Sequence, residues 1–249
     1  MVDSLGYRAK IGYIVPSTNT TAQPEIDDLR RAGVTNHLSR MTIRNTKMVE
    51  RPGFDQVLDD IRASASPAIE SLCTADPDII AVGVSPEGFW SGAENQDRVV
   101  AAFERDAAGR PVVTSADAIT AALDGFGGLT RIAVITPYLK IGDNTVRRFF
   151  DDRGYDLVAI EGLGAETPAS IAHIDHDRLR AAVRAVDTAD VQAVIQVGTN
   201  VAMARFAASA EPFLGKPVLS NNAVLYWHAL RTIGIKDQFT GHGRLFKFL

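Results

Sequence analysis

Short apolar runs rich in β-branched residues recur along the chain, separated by longer stretches whose apolar positions return every three or four residues. The runs are KIGYIV (10–15), LSRMTI (38–43), DIIAVGV (78–84) and PVVTS (111–115), then RIAVIT (131–136), YDLVAIEG (155–162), QAVIQV (192–197) and PVLSN (217–221). Bounded by Pro, Gly and Asp, such runs predict parallel strands buried on both faces. The stretches between them predict helices. In DRLRAAVRAV, within a helix expected over 176–187, Leu179, Ala182, Val183 and Val186 fall at i, i+3, i+4 and i+7. Strand and helix alternate throughout, which predicts an α/β fold.

The two sets of runs also match one another. KIGYIVPS (10–17) aligns with RIAVITPY (131–138), VGVSPEG (82–88) with VGTNVAM (197–203), and RPVVTSADA (110–118) with KPVLSNNAV (216–224). The economical reading is two pseudo-duplicated units, each a four-stranded parallel sheet flanked by helices, with a ligand cleft between them. The expected boundaries are 1–118 for the first half and 119–224 for the second, with 225–249 packing back on the first. Ligands of open α/β sheets bind beyond the carboxyl ends of the strands. If the halves face each other, both sets of strand-end turns line one cleft.

Composition narrows the function classes. A net charge of −4 gives no basic footprint for nucleic acid or an anionic membrane. No apolar run approaches the ~18 residues of a membrane span, and MVDSLGYRAK lacks the basic-then-apolar order of a signal peptide. The single cysteine, Cys73 in ESLCTADPD, excludes an intramolecular disulfide framework and reads as a small apolar residue in mid-helix. A cytoplasmic protein is expected. The histidines His37, His173, His176, His228 and His242 show only a weak H-x-x-H at 173–176, and neither G-x-x-x-x-G-K-[ST] nor G-x-G-x-x-G occurs. No metal and no cofactor are expected.

The candidate chemistry therefore sits at the strand ends. PSTNTTAQPE (16–25) places Ser17, Asn19 and Thr20 before a helical run, as helix caps or as a cradle for a carboxylate. VGVSPEGFWSG offers Ser85 as an oxyanion donor or weak nucleophile and Glu87 as a general base, in a turn that could equally be structural. Tyr138, ending the fifth strand, could hydrogen-bond a developing negative charge. In QVGTNVAM, Gly198 permits a tight turn that sets Thr199 and Asn200 at a helix N-cap, where main-chain amides would form a second anion hole.

Together IVPSTNTTAQPE, GVSPEGFWSG, TPYLKIGDN, VGTN and the terminal GHGRLF resemble the aspartate/glutamate racemase superfamily, in particular its maleate cis-trans isomerase and arylmalonate decarboxylase branch. The resemblance runs nearly end to end. It implies cofactor-independent chemistry on a small carboxylate or dicarboxylate in a cleft between two α/β halves, and a homo-oligomer. Asn19 matches an asparagine that holds a substrate carboxylate, Tyr138 a tyrosine that contacts the same anions, and Ser85 a serine of the first-half oxyanion loop. The family's two catalytic cysteines would fall among Gly83, Val84 and Ser85, and at Val197 or Gly198, where this chain has no thiol. Thiolate basicity near neutral pH is what cysteine supplies at such positions, so this chain departs from the family at its acid and base.

Three functions fit these residues. The first is decarboxylase, isomerase or lyase chemistry through an enediolate, with Ser85, Glu87, Tyr138 and Thr199 as catalytic candidates. Ser17, Asn19, Thr20, Val84, Gly198 and Asn200 would then bind the substrate. The second is a hydrolase or hydratase in which Glu87 activates water. The third is a carboxylate-binding protein without catalysis.

Overall fold

A computed structural model of the chain describes residues 3–84 and 93–249. Ser85 and Glu87 lie outside the described residues. In the first half the strands are β1 (Ala9–Pro16), β2 (Val34–Met41), β3 (Ile79–Val82) and β4 (Val112–Thr114), and the helices α1 (Ala22–Leu29), α2 (Arg51–Cys73), α3 (Ala93–Asp106) and α4 (Ser115–Gly125). The second half has β5 (Arg131–Thr136), β6 (Asp156–Gly162), β7 (Ala193–Gln196) and β8 (Val218–Ser220), with α5 (Lys140–Asp152), α6 (His176–Val186), α7 (Ala204–Leu214), α8 (Asn221–Thr232) and α9 (Gly243–Phe248). Each set of strands forms an all-parallel sheet, ordered β2-β1-β3-β4 and β6-β5-β7-β8. The two-sheet α/β architecture is the one the repeat pattern predicts.

The central strands explain why the pattern was so clear. β3 and β7 are buried along their whole length, and β5 at every residue but its first. Strands covered on both faces need continuous apolar runs. β2 is different. It is an edge strand whose interior residues are half exposed. It begins at Val34 rather than Leu38, because one side of VTNHLSRM faces outward and the run carries no apolar signal there. It ends at Met41, and the Ile43 amide turns to the Ser17 hydroxyl at 3.1 Å.

The halves meet through the helices that follow the fourth strand of each sheet. α8 packs on α4, α1, β3 and β4 as well as on β8. Nearly all its residues from Asn221 to Leu230 are buried, as expected of a helix covered all round. The C-terminal segment adds an Arg8–Asp237 ion pair at 2.6 Å and the Arg31 guanidinium over the Phe239 ring. Cys73 is the last residue of α2, not a mid-helix one. It is partly buried at the end of the sheet where β3 begins, away from the strand-end turns.

Candidate active site

The carboxyl ends of the two sheets enclose a small cavity of about 40 Å3, room for about three water molecules. Its polar lining comes from Thr18 and Asn19 after β1, Tyr138 after β5 and Gly198–Asn200 after β7. Its apolar wall comes from Ile43, Met48, Val57, Ile61, Val84 and Ile171. The lining residues Val57 and Ile61 sit one turn apart on α2, so one buried face of that long helix supplies part of the wall.

Side chains of one half hold the turns of the other. Asn19 accepts from the amides of Thr21 (3.0 Å) and Ala22 (2.9 Å), which caps α1 locally, and donates to the Thr199 hydroxyl at 3.0 Å. Thr199 donates in turn to the Gly83 carbonyl at 2.8 Å. Asn200 accepts from the Thr20 amide at 2.9 Å and donates to Pro168 O at 3.0 Å and Thr18 O at 3.4 Å, and its own carbonyl accepts from the Thr21 hydroxyl at 3.1 Å. The Thr18, Thr199 and Asn200 main-chain amides have no acceptor among the described residues.

The residues expected to carry chemistry therefore divide. Tyr138, Asn19, Val84, Gly198, Thr199 and Asn200 line the cavity. Ser17 and Thr20 do not: Ser17 bridges the Ile43 backbone, and Thr20 is exposed and contributes its amide to Asn200. The Thr199 proton is committed to a carbonyl, which suits a tie better than a reacting group. Thr199 and Asn200 also do not cap the next helix. The turn runs on to Met203, and α7 begins at Ala204.

Tyr138 is buried, and its hydroxyl has no hydrogen-bond partner among the described residues. Its ring stands edge-on to Phe54, centroids 5.9 Å apart. Burial, and then the nearby Asp143 carboxylate, push the phenol well above its usual value. It is the one titratable side chain among the described residues that line the cavity. Asp143 is held by the Thr136 hydroxyl, which also accepts from the Tyr138 amide at 3.1 Å, so the turn carrying the phenol is fixed from below.

Among the positions where the family's thiols would fall, the two glycines are crowded. A Cβ on Gly83 would lie 2.4 Å from the Tyr13 ring and 2.9 Å from Ile14 O, and one on Gly198, at φ +109°, 2.7 Å from Pro137. A family model described as arylmalonate decarboxylase matches residues 11–246, almost the whole chain. The chain belongs to the arylmalonate decarboxylase family. A maleate isomerase of Pseudomonas putida is 26% identical over 95% of this chain and 96% of its own length. Among solved structures, a cysteine-to-serine variant of the Nocardia farcinica maleate cis-trans isomerase, with a covalently bound succinylcysteine intermediate, has a TM-score of 0.86 at 23% identity, covering 96% of this chain and 98% of the other. A liganded arylmalonate decarboxylase variant, in which a glycine became cysteine and a cysteine became serine, has a TM-score of 0.81 at 22% identity, with coverage of 96% and 98%.

Within this family member, a half-buried carboxylate behind the cleft escaped the sequence reading. Glu25 shares a face of α1 with buried Ala22, Ile26 and Leu29. It accepts from the Ala204 amide and from Asn222 Nδ2, both at 2.7 Å. Burial pushes its carboxyl up to about 7, against the lowering effect of these two hydrogen bonds. A carboxylate on an otherwise apolar helical face was the available signal.

Proposed function

We propose that the chain acts without a bound cofactor on a small carboxylate, by decarboxylation or a related isomerase or lyase step through an enediolate-like intermediate. The observation that carries this reading is the Tyr138 hydroxyl, unpartnered among the described residues, in a buried cleft beside Asn19 and the amides of Thr199 and Asn200. The family's arylmalonate decarboxylases and the maleate isomerase relatives support a small carboxylate as substrate.

A phenol held neutral can donate a hydrogen bond to an oxyanion but cannot take a proton from carbon near neutral pH. That favours decarboxylation. The bond to the leaving carboxylate breaks, its electron pair passes into the remaining carboxylate to give an enediolate, and CO2 departs. An apolar wall such as Ile43, Met48, Val57 and Ile61 favours this step, because the charge on a desolvated carboxylate leaves its group as CO2 forms. Tyr138, Asn19 Nδ2 and the turn amides would hold the enediolate oxygens. Ser85 and Glu87, outside the described residues, complete the proposed catalytic set as candidates to deliver the proton to the α-carbon. The succinylcysteine route of the isomerase relative needs a thiol, and this chain's one cysteine, Cys73, is elsewhere.

Proton NMR in D2O with a panel of malonates, maleate, lactones and cyclic imides tests the reading. Loss of CO2 with deuterium entering the α-carbon is expected, and Tyr138→Phe should lower kcat by about 10²- to 10³-fold. Ser85→Ala and Glu87→Gln identify the proton donor. Ring opening or hydration without α-deuteration would replace the reading with a Glu87 hydrolase, and binding without turnover would replace it with a carboxylate-binding protein.

A further inference from the structure

Glu25 lies outside the cavity, yet its carboxylate reaches the two segments that shape the cleft floor in the second half. One oxygen takes the amide of Ala204, the first residue of α7, just after the Gly198–Met203 turn. The other takes Asn222 Nδ2, and the same nitrogen donates to the Thr199 carbonyl at 2.9 Å. Asn222 Oδ1 faces the Tyr13 hydroxyl at 3.4 Å. Thr199 then carries the arrangement to Asn19 and Gly83 through its hydroxyl. A carboxylate of the first half is thereby linked to the ends of β1, β3 and β7.

We propose that Glu25 is a positioning residue of the cleft: through Asn222 and the Ala204 amide its carboxylate holds the Thr199 turn of the second half in register with the Asn19 loop of the first. The inference deepens the proposed function and rests on it only for the activity readout. Both oxygens of Glu25 accept from N–H groups, so a proton on either would face a donor. The ionised form alone satisfies both contacts. An amide in its place would turn its nitrogen on one donor, or rotate Asn222 so that its oxygen faces the Thr199 carbonyl. The titratable groups whose charge acts on or is acted on by Glu25 are Asp28, one turn along α1, and Tyr13 from β1. Arg205 and His242 both face Asp28, and no cation pairs with Glu25 among the described residues.

The test is a pH titration of the full chain labelled with 15N, followed at the Ala204 and Thr199 amides, together with kcat and KM on whichever substrate the NMR panel identifies. The two amide signals should move together with a midpoint near pH 7, and kcat should fall on the acid side of that midpoint while KM changes little. Glu25→Gln should abolish both transitions and lower kcat on the order of tenfold to a hundredfold. Glu25→Asp should recover part of the rate, since it keeps the charge. A Thr199 signal that stays still while Ala204 titrates overturns the inference, as does a Gln variant with unchanged kcat. If no substrate is turned over, or the Gln variant does not fold, the wild-type titration alone decides. Coupled movement upholds the positioning role and a static Thr199 removes it, so failure of the proposed activity is separable from failure of this inference.

Discussion

Tyr138 is buried and Glu25 half-buried; both are titratable, and they differ in how their polar atoms are satisfied. The Tyr138 hydroxyl has no partner among the described residues, so its removal forfeits no hydrogen bond to them. Tyr138→Phe is expected to leave stability within about 0.5 kcal/mol of wild type, or slightly higher, in urea unfolding. Glu25 gives a pH dependence of opposite sign for stability and for activity. Its folded value, about 7, lies above the 4.5 of the free side chain, so between these values the folded state holds a proton that the unfolded state has lost. The contribution to stability is full below about 4.5 and disappears as pH rises through about 7. Denaturation of wild type and Glu25→Gln at pH 5 and pH 8 should therefore show the variant gaining on wild type at the higher pH, by an amount on the order of 1–3 kcal/mol. Activity, by contrast, should fall as pH drops. Of these two residues, the sequence made Tyr138 visible, because a phenol at a strand end stands out. Glu25 was easier to miss, because a glutamate in a short helix reads as solvent-facing even when, as here, the apolar positions Ala22, Ile26 and Leu29 share its face.

At the scale of elements, the strands buried on both faces were legible almost to the residue. β5 begins and ends where RIAVIT does. The edge strand β2 and the start of α7 were not, for two physical reasons. An edge strand is half solvated and loses its apolar signature. The α7 N-terminus is capped from outside, by a carboxylate far away in sequence, so its local residues carry no cap signal. The Gly198 turn is the element most exposed to substitution. Its φ of +109° and the 2.7 Å approach that a Cβ there would make to Pro137 leave no room for a side chain. Gly198→Ala should cost on the order of 1–3 kcal/mol in chemical denaturation, and the turn should shift away from Tyr138 with loss of ligand-induced NMR shifts.

For the whole molecule, the duplicated plan was written in the matching strand pairs, and the two sheets repeat one strand order. How the halves engage was not, since the bonds that join them pair residues such as Thr20 with Asn200 and Asn19 with Thr199, far apart in sequence. The apolar wall was equally hidden. Met48, Val57 and Ile61 have ordinary core patterns, and only the folded arrangement turns them toward a cleft.

The ties made by Asn200 have a kinetic meaning. Its side-chain oxygen, side-chain nitrogen and carbonyl are all engaged with the facing half or with Pro168, and none of the partners is charged. The cavity they border suits about three waters, so a larger ligand such as malonate is expected to displace this latch. Releasing several neutral bonds together would make admission a rare thermal event, not a steered one. Stopped-flow association should accordingly be slow and steeply temperature-dependent, with little response to ionic strength between about 10 mM and about 500 mM salt at about pH 8. Asn200→Ala should speed both capture and escape, which would make the latch a timer for how long the cleft keeps what it holds.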